Sequence, residues 1–255
     1  IGSEQHTIAY GMGLTAEKVA QRWKISREAQ DQFALASHEK ALAAQASGAF
    51  TQEILPLSVA VRSAAANGSI AQQLISVTQD EGPRAGTLDS LAKLKSVFAA
   101  RGTVTAGNSS QMSDGAAALV LVNERLVHEL KLQPLGRFLG YSVVGVPPEI
   151  MGIGPTLAIP QVLKRIGLTQ QQLDWIELNE AFAAQALAVM QELELDPTRV
   201  NPLGGAIALG HPLGATGAIR ATTLLHGLRR QRQRYGMVSM CIGTGMGAAG
   251  VFEAL

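Results

Sequence analysis

The hydrophobic and polar positions of the chain separate a helical first part from a second part in which strands and helices alternate. In residues 1 to about 112, Thr15 and Ser26 are each placed to cap the start of a helix, and Gly48 is placed to end the second one. We expect that second helix to bury the apolar positions that recur at helical spacing, Ala29, Phe33 and Ala36.

The pattern weakens in the middle of this first part. Small and polar residues dominate between Phe50 and Gly82, which indicates an exposed excursion, and helical spacing returns at Leu88–Phe98. A continuous apolar run at Ala116–Val122 then follows a segment rich in Gly, Asn, Ser and Thr. Such a run predicts a buried strand.

Beyond this run, segments of strand length and helix length alternate to the end of the chain. They are predicted, in order, at Phe138–Val144, Thr156–Ile166, Trp175–Leu178, Ala181–Leu193, Thr216–Leu228, Met237–Ile242 and Ala249–Phe252. Alternation of this kind predicts an α/β layer. Open α/β sheets bind ligands beyond the carboxyl ends of their strands, so candidate functional residues are expected there.

Composition narrows the functions that such a fold can serve. Of the 255 residues, 47% are hydrophobic. The net charge is +1, so the chain has no strong positive potential of the kind that attracts nucleic acid. No apolar run reaches the roughly 20 residues that a membrane span needs. The sequence shows neither a Cys/His metal spacing nor a phosphate-binding loop. Its single cysteine, Cys241, excludes an internal disulfide and favours a reducing, cytoplasmic compartment.

His211 lies in the first segment that could carry chemistry, Gly204–Gly214. The glycines let a ligand approach the backbone, and Pro212 stiffens the turn ahead of a predicted helix. A histidine held in this way suits a general base or an oxyanion donor. A structural turn histidine is the alternative, and the elaborate flanking sequence favours the catalytic interpretation.

Cys241 ends a predicted strand and is followed by a run of glycines. A thiol near free backbone amides can be stabilised as a thiolate, whereas a lone cysteine is more often a buried, inert side chain. Gly245, Gly247 and Gly250 also have the GxGxxG spacing of a dinucleotide site. Only five residues follow Gly250, too few for the helix, strand and acidic residue that such a site requires.

Asn179 lies at the junction of a predicted strand and a predicted helix. From the residues alone it is best placed to cap the helix, and holding a water or a carbonyl oxygen at the strand end is the alternative. The turn at Gly107–Ser110 has the same two possible roles: its side chains can stabilise the turn itself, or they can contact a ligand.

Together these segments resemble the thiolase family, and most closely its 3-ketoacyl-CoA thiolases. The matching motifs, in the family's order and spacing, are Thr105–Ala118, Asn179–Phe182, Gly204–Gly214 and Cys241–Gly247. The resemblance runs from Met12 over the rest of the chain. It implies a five-layered αβαβα fold of two similar halves, with a loop domain inserted in the first half.

The resemblance also divides the chain. Residues 1–112 would be most of the loop domain, 113–133 the last strand and helix of the N-terminal half, and 134–255 the C-terminal half. We expect the rest of the first half, with its nucleophilic cysteine, to precede Ile1, so the chain is expected to be a fragment of a longer enzyme. A subunit completed by a separate N-terminal chain and a decayed copy are the alternatives.

Thiolases are acyltransferases of fatty acid metabolism and β-oxidation. They split a 3-ketoacyl-CoA with CoA into acetyl-CoA and a shortened acyl-CoA, or run the reverse Claisen condensation. By resemblance, His211 would activate the missing cysteine, and Cys241 would be the acid/base thiol. Asn179, through a water, and His211 would form one oxyanion hole, and the amide of Gly243 would serve the second.

CoA and acyl-CoA would be substrates, and no cofactor or metal is expected. Residues that match positions near CoA or its pantetheine arm are Arg84, Ser90, Phe98, Ala106, Ser110, Met151, Ala181 and Phe182. The family also implies a homodimer or homotetramer. A non-catalytic acyl-CoA or lipid-binding protein is the alternative function. Condensing enzymes that use acyl-carrier protein rank lower, because they place a histidine where this chain has Asn179.

Overall fold

A computed structural model of the chain describes residues 10–64 and 68–255, so the first nine residues of the predicted loop domain lie outside it. Two helices open the described part, α1 at Met12–Trp23 and α2 at Arg27–Ala46. Ser26 caps α2 as predicted, since its side chain accepts a hydrogen bond from the Ala29 amide (3.1 Å). Gly48 follows the helix with a φ of 71°.

Helix α1 starts earlier than the sequence predicts. Thr15 does not cap it, because the helix already begins at Met12 and the Thr15 hydroxyl donates to the Met12 carbonyl (2.7 Å) within its first turn. The cap position is occupied by Gly11, which has no side chain to signal a start.

The buried face of α2 also differs from the prediction. The residues expected to be buried, Ala29, Phe33 and Ala36, are only partly buried. The buried face instead includes four polar side chains, Gln30, Asp31, Ser37 and His38. Gln30, Asp31 and Ser37 hydrogen-bond to side chains on other segments, an environment that apolar periodicity cannot register.

The excursion after α2 is exposed, as expected, but it is ordered by a hairpin. Strands β1 (Leu57–Ala64) and β2 (Ile70–Val77) pair antiparallel, and residues 65–67 at the tip lie outside the description. The next helix, α3, spans Leu88–Ala92 and is shorter than the predicted Leu88–Phe98.

The strand predicted at Ala116–Val122 is absent. Residues 111–123 have no regular secondary structure, and the side chain of Val120 is 91% exposed. A strand is stabilised by a paired neighbour, and none of the six strands in the described residues pairs with this segment. Helix α4 (Glu124–Glu129) follows it.

The second part of the chain is built on a mixed, four-stranded sheet of order β3-β6-β5-β4. Its strands are β3 (Gly136–Gly145), β4 (Trp175–Leu178), β5 (Tyr235–Ile242) and β6 (Met246–Ala254). Only the β4–β5 pair is parallel. The helices are α5 (Pro155–Ile166), α6 (Ala183–Glu192), α7 (Ala206–Leu209) and α8 (Thr216–Gln231), preceded by a 3-10 helix at Pro148–Ile153. The seven predicted elements of this part are confirmed, with ends shifted by a few residues.

Alternate side chains of the central strands pack on opposite helical layers. On β4, Ile176 and Leu178 contact the core shared with α5 and α6, whereas Trp175 packs against α8. Helices α1 and α2 form a further layer outside α6. This layering brings α2 close to the strand ends where candidate chemistry was predicted.

Candidate active site

The parallel strands β4 and β5 bring Asn179 and Cys241 to the same edge of the sheet. Asn179 directly follows β4, and its backbone N–H donates to the carbonyl of Ser239 on β5 (2.9 Å). Ser239 lies two residues before Cys241 on that strand. This edge lies beyond the carboxyl ends of both strands, which is where open α/β sheets bind ligands.

The side chain of Asn179 is directed toward His211. It is fully buried, and its Nδ2 lies 3.3 Å from Nε2 of His211. Helix α6 begins only at Ala183 and has no side-chain cap, so the capping role favoured for Asn179 from the residues alone is wrong. Asn179 Oδ1 is buried without a hydrogen-bond partner among residues 10–64 and 68–255, which leaves an acceptor for a bound group.

Thr216 determines which nitrogen of His211 carries the proton. Its Oγ1 lies 2.7 Å from His211 Nδ1 and 3.0 Å from the Pro212 carbonyl oxygen. Because the hydroxyl donates to Pro212, its oxygen accepts from Nδ1–H, and Nε2 is the unprotonated nitrogen beside Asn179.

The surroundings of His211 keep its ring neutral. Burial, with a smaller contribution from the charge of Arg220, lowers the pKa of His211 below its ordinary value. A neutral imidazole with a free Nε2 is the form that acts as a general base.

A buried carboxylate, that of Glu180, holds the loop that precedes the histidine. Its Oε1 accepts from Asn201 Nδ2 (2.8 Å), and its Oε2 accepts from Ser37 Oγ (2.7 Å) and from the Ile207 amide (3.3 Å). A Cβ at Gly205 would stand 2.0 Å from the carboxylate carbon, so this close approach requires a glycine. Helix α2 thereby braces the loop through Ser37.

Cys241 is buried at the end of β5, beside the turn that joins β5 to β6. Burial raises the pKa of its thiol to about 12, so the side chain is a protonated thiol. Of the two interpretations of this cysteine, a stabilised thiolate and a buried thiol, the structure supports the buried thiol. The space beside the Cα of Gly243 is open, so a ligand can approach its backbone.

Four of the residues matched to CoA positions lie together next to Asn179. The Ser110 amide donates to the Ala181 carbonyl (2.9 Å), and the Phe182 ring meets Phe98 edge to face with 6.0 Å between ring centroids. These contacts bring two separate sequence segments to the strand end that carries Asn179.

The other four matched residues differ in their surroundings. Arg84 and Ser90 are exposed, and Ser90 belongs to the capping box of α3. Ala106 is exposed in the turn before Ser110, while Met151 is buried in the 3-10 helix.

The turn at Gly107–Ser110 is stabilised by its own side chains. Asn108 Oδ1 accepts from the Thr105 amide (2.8 Å), and Asn108 Nδ2 donates to Asp31 on α2 (2.9 Å). The structure thus supports a role for Asn108 in stabilising the turn.

Three residues that hold the site in place were missed in the sequence. They are the buried polar residues Thr216, Glu180 and Ser37. Glu180 and Ser37 bond each other from distant parts of the sequence, whereas Thr216 lies only five residues after its partner His211. Only the short spacing of Thr216 from the histidine could have indicated its role.

No helix in residues 10–64 and 68–255 is long and apolar enough to cross a membrane. No group of three or more His, Cys, Asp or Glu side chains in these residues is placed to hold a metal ion.

Comparison with known families assigns both parts of the chain. A model described as the thiolase N-terminal domain matches residues 3–125, and one described as the thiolase C-terminal domain matches residues 132–254. The chain is 55% identical over 244 residues to the human peroxisomal 3-ketoacyl-CoA thiolase, covering 95% of this chain and 57% of that protein. It is 51% identical over 243 residues to the 3-ketoacyl-CoA thiolase of Bacillus subtilis, covering 95% of this chain and 62% of the relative.

Solved structures show the same relationship. The crystal structure of the Bacillus anthracis acetyl-CoA acetyltransferase matches with a TM-score of 0.91 and 44% identity, covering all of this chain and 62% of that one. The dimeric peroxisomal thiolase of Saccharomyces cerevisiae matches with a TM-score of 0.86 and 48% identity, covering 97% and 60%. The chain thus spans about three fifths of the length of these proteins, and its described residues have the thiolase fold. This chain belongs to the thiolase family.

Proposed function

We propose that this chain supplies the acid/base part of a 3-ketoacyl-CoA thiolase, an acetyl-CoA C-acyltransferase. The observation that carries the proposal is the buried pair of Asn179 and His211 at the same sheet edge as the thiol of Cys241. The relatives named as 3-ketoacyl-CoA thiolases, at more than half identity, support the substrate class.

The proposed reaction uses two covalent steps. A cysteine from outside these 255 residues, whose only cysteine is Cys241, attacks the keto carbon and gives its proton to Nε2 of His211. The bond between C2 and C3 of the substrate breaks, and the acetyl-CoA carbanion takes the proton of Cys241. The Cys241 thiolate then takes the proton of incoming CoA, whose sulfur attacks the acyl-enzyme. The released cysteine recovers its proton from His211.

The geometry fits these roles. A buried neutral thiol holds the proton that a strongly basic carbanion needs, and a neutral His211 has Nε2 free to accept one. Asn179 Oδ1, which has no partner in the described part of the chain, would hold a water that donates to the developing oxyanion. The open backbone at Gly243 would bring its amide to the second oxyanion.

Location and assembly follow as part of the same proposal. The free thiol of Cys241 fits a reducing compartment, and we place the protein in the cytoplasm, although several relatives are named as peroxisomal. A homodimer or homotetramer is proposed, supported by a neighbour described as dimeric. A separate N-terminal chain that brings the nucleophile is the alternative assembly.

The test is a thiolysis assay with the protein as its gene encodes it. We expect it to convert acetoacetyl-CoA and CoA into acetyl-CoA, and we expect His211→Ala to lower the rate by about 100-fold or more. Saturable binding of acyl-CoA without any turnover would contradict the proposal and would favour a binding protein.

A further inference from the structure

Helix α8 contacts the histidine loop at two points one helical turn apart. Thr216, in its first turn, bonds the ring of His211 (2.7 Å). Arg220, four residues later, lies on the same side of the helix and is 2% exposed. Its Nη1 lies 3.3 Å from the carbonyl oxygen of Gly204 and 3.3 Å from Oε2 of Glu177.

These two contacts join the segments that carry Asn179 and His211. Glu177 is on β4, two residues before Asn179, and Gly204 begins the loop that ends in the histidine. The 3.3 Å approach between Asn179 Nδ2 and His211 Nε2 depends on how these two segments are placed relative to each other. A single guanidinium nitrogen bridges them.

We propose that Arg220 is a positioning residue, whose buried guanidinium sets the His211 loop against the end of strand β4. The proposal deepens the proposed function and rests on it for the role of His211. An arginine suits this place because Nη1 of its rigid, planar group is held in reach of both acceptors, while a lysine offers a compact ammonium on a flexible stem.

The charge of Arg220 acts on the same histidine. The carboxyl groups that face the guanidinium come from three elements: Glu177 on β4, Glu53 after α2 and Asp80 after β2. Burial raises the pKa of all three, that of Glu53 to about 7. The positive charge of Arg220 adds to burial in lowering the pKa of His211.

The test compares Arg220→Gln, which loses the charge, with Arg220→Lys, which keeps it, in the protein as its gene encodes it. Arg229→Gln, an exposed arginine on the same helix, is the matched control. One readout is the pH dependence of His211 modification by diethyl pyrocarbonate, located by peptide mass spectrometry, with the exposed His128 on α4 as internal reference. The other is amide hydrogen exchange of residues 204–210.

Arg220→Gln should move the modification midpoint of His211 to higher pH and leave the modification of His128 unchanged. Amide exchange in 204–210 should become about ten- to hundredfold faster, as expected when a buried, charged hydrogen bond is lost. Arg220→Lys should keep the midpoint but still quicken the exchange, and Arg229→Gln should change neither.

A folded Arg220→Gln protein with an unchanged midpoint and unchanged exchange would overturn the proposal. If that variant does not fold, Arg220→Lys decides, because unchanged exchange in it would overturn the positioning role. Neither readout requires turnover, so a lack of thiolysis would count against the proposed function and leave this test intact.

Discussion

At the scale of single residues, the site consists of two neutral groups whose protons are placed by their surroundings. Thr216 holds the proton of His211 on Nδ1, and burial lowers the pKa of that ring. Burial also keeps Cys241 as a thiol, by raising its pKa to about 12. One group is therefore ready to accept a proton and the other to give one, without a permanent charge on either.

Removing the hydroxyl of Thr216 should impair catalysis more than folding. In Thr216→Val, Nδ1–H of His211 loses its acceptor, and the tautomer with a free Nε2 is no longer favoured. We expect the thiolysis kcat to fall by about 100-fold with little change in KM. Thr216→Ser, which keeps the hydroxyl, is the control and should retain most of the rate; equal rates for valine and serine would contradict the role assigned to Thr216.

The thiol of Cys241 should be slow to alkylate in the folded protein. With a pKa near 12, its thiolate fraction at pH 8 is about a thousandfold below that of an ordinary thiol, and alkylation requires the thiolate. Iodoacetamide labelling of the peptide that contains Cys241, followed by mass spectrometry with and without urea, measures this. Rapid labelling without urea would show that the thiol is neither buried nor raised in pKa.

At the scale of elements, the site depends on one short helix and a loop held between β4 and α2. Glu180 accepts hydrogen bonds from Asn201 in that loop, from Ile207 in α7 and from Ser37 in α2. All three of these residues are buried, as is Glu180. The loop before His211 is thus positioned by a polar network rather than by apolar packing alone.

Changing Glu180 to glutamine should reveal that network as a loss of stability. An amide has a single acceptor oxygen and cannot accept from all three donors, so at least one buried donor is left unsatisfied. We expect the free energy of unfolding to fall by about 1–3 kcal/mol. Urea denaturation measures it, with Glu39→Gln, an exposed carboxylate on α2, as the control. Equal midpoints for both variants would contradict this role of Glu180.

The elements show what the sequence could predict. Strands β3 to β6 and helices α5, α6 and α8 followed from the apolar pattern, because each packs apolar side chains against neighbours in the same half, those of β3 only in part. The buried face of α2 did not, since Asp31 and Ser37 are buried by hydrogen bonds to residues distant in sequence. The run at Ala116–Val122 looked like a strand, but strand formation requires a partner that its own residues cannot specify.

The sequence singled out three candidate site residues but not the residues that hold them in place. Asn179, His211 and Cys241 each stand out by their glycine-rich or junction context, although local reasoning alone favoured a capping role for Asn179. Arg220 and Glu180 have no such context, because their partners come together only in the folded chain.

At the scale of the whole molecule, apolar side chains remain exposed on segments that no described element covers. They include Val120 and Leu121 in the unpaired run, and Phe138, Tyr141 and Val143 along edge strand β3. Exposed apolar patches and open strand edges favour association with other surfaces.

The 255-residue chain on its own should therefore self-associate. Sedimentation velocity over a range of concentrations should show species larger than 26.8 kDa. The double variant Val120→Asp and Leu121→Asp should shift the distribution toward the monomer, whereas the same change at exposed, polar Gln231 and Arg232 should not. A concentration-independent monomer of the unaltered chain would contradict this expectation.

In the proposed reaction, Cys241 works with His211 and Asn179 as an acid/base thiol. The thiolysis rate of Cys241→Ala in the protein as its gene encodes it, measured beside the unaltered protein with acetoacetyl-CoA and CoA, tests this role. We expect a fall in kcat of about 100- to 10,000-fold with the fold intact by circular dichroism. A rate equal to that of the unaltered protein would show that Cys241 is only a buried structural residue.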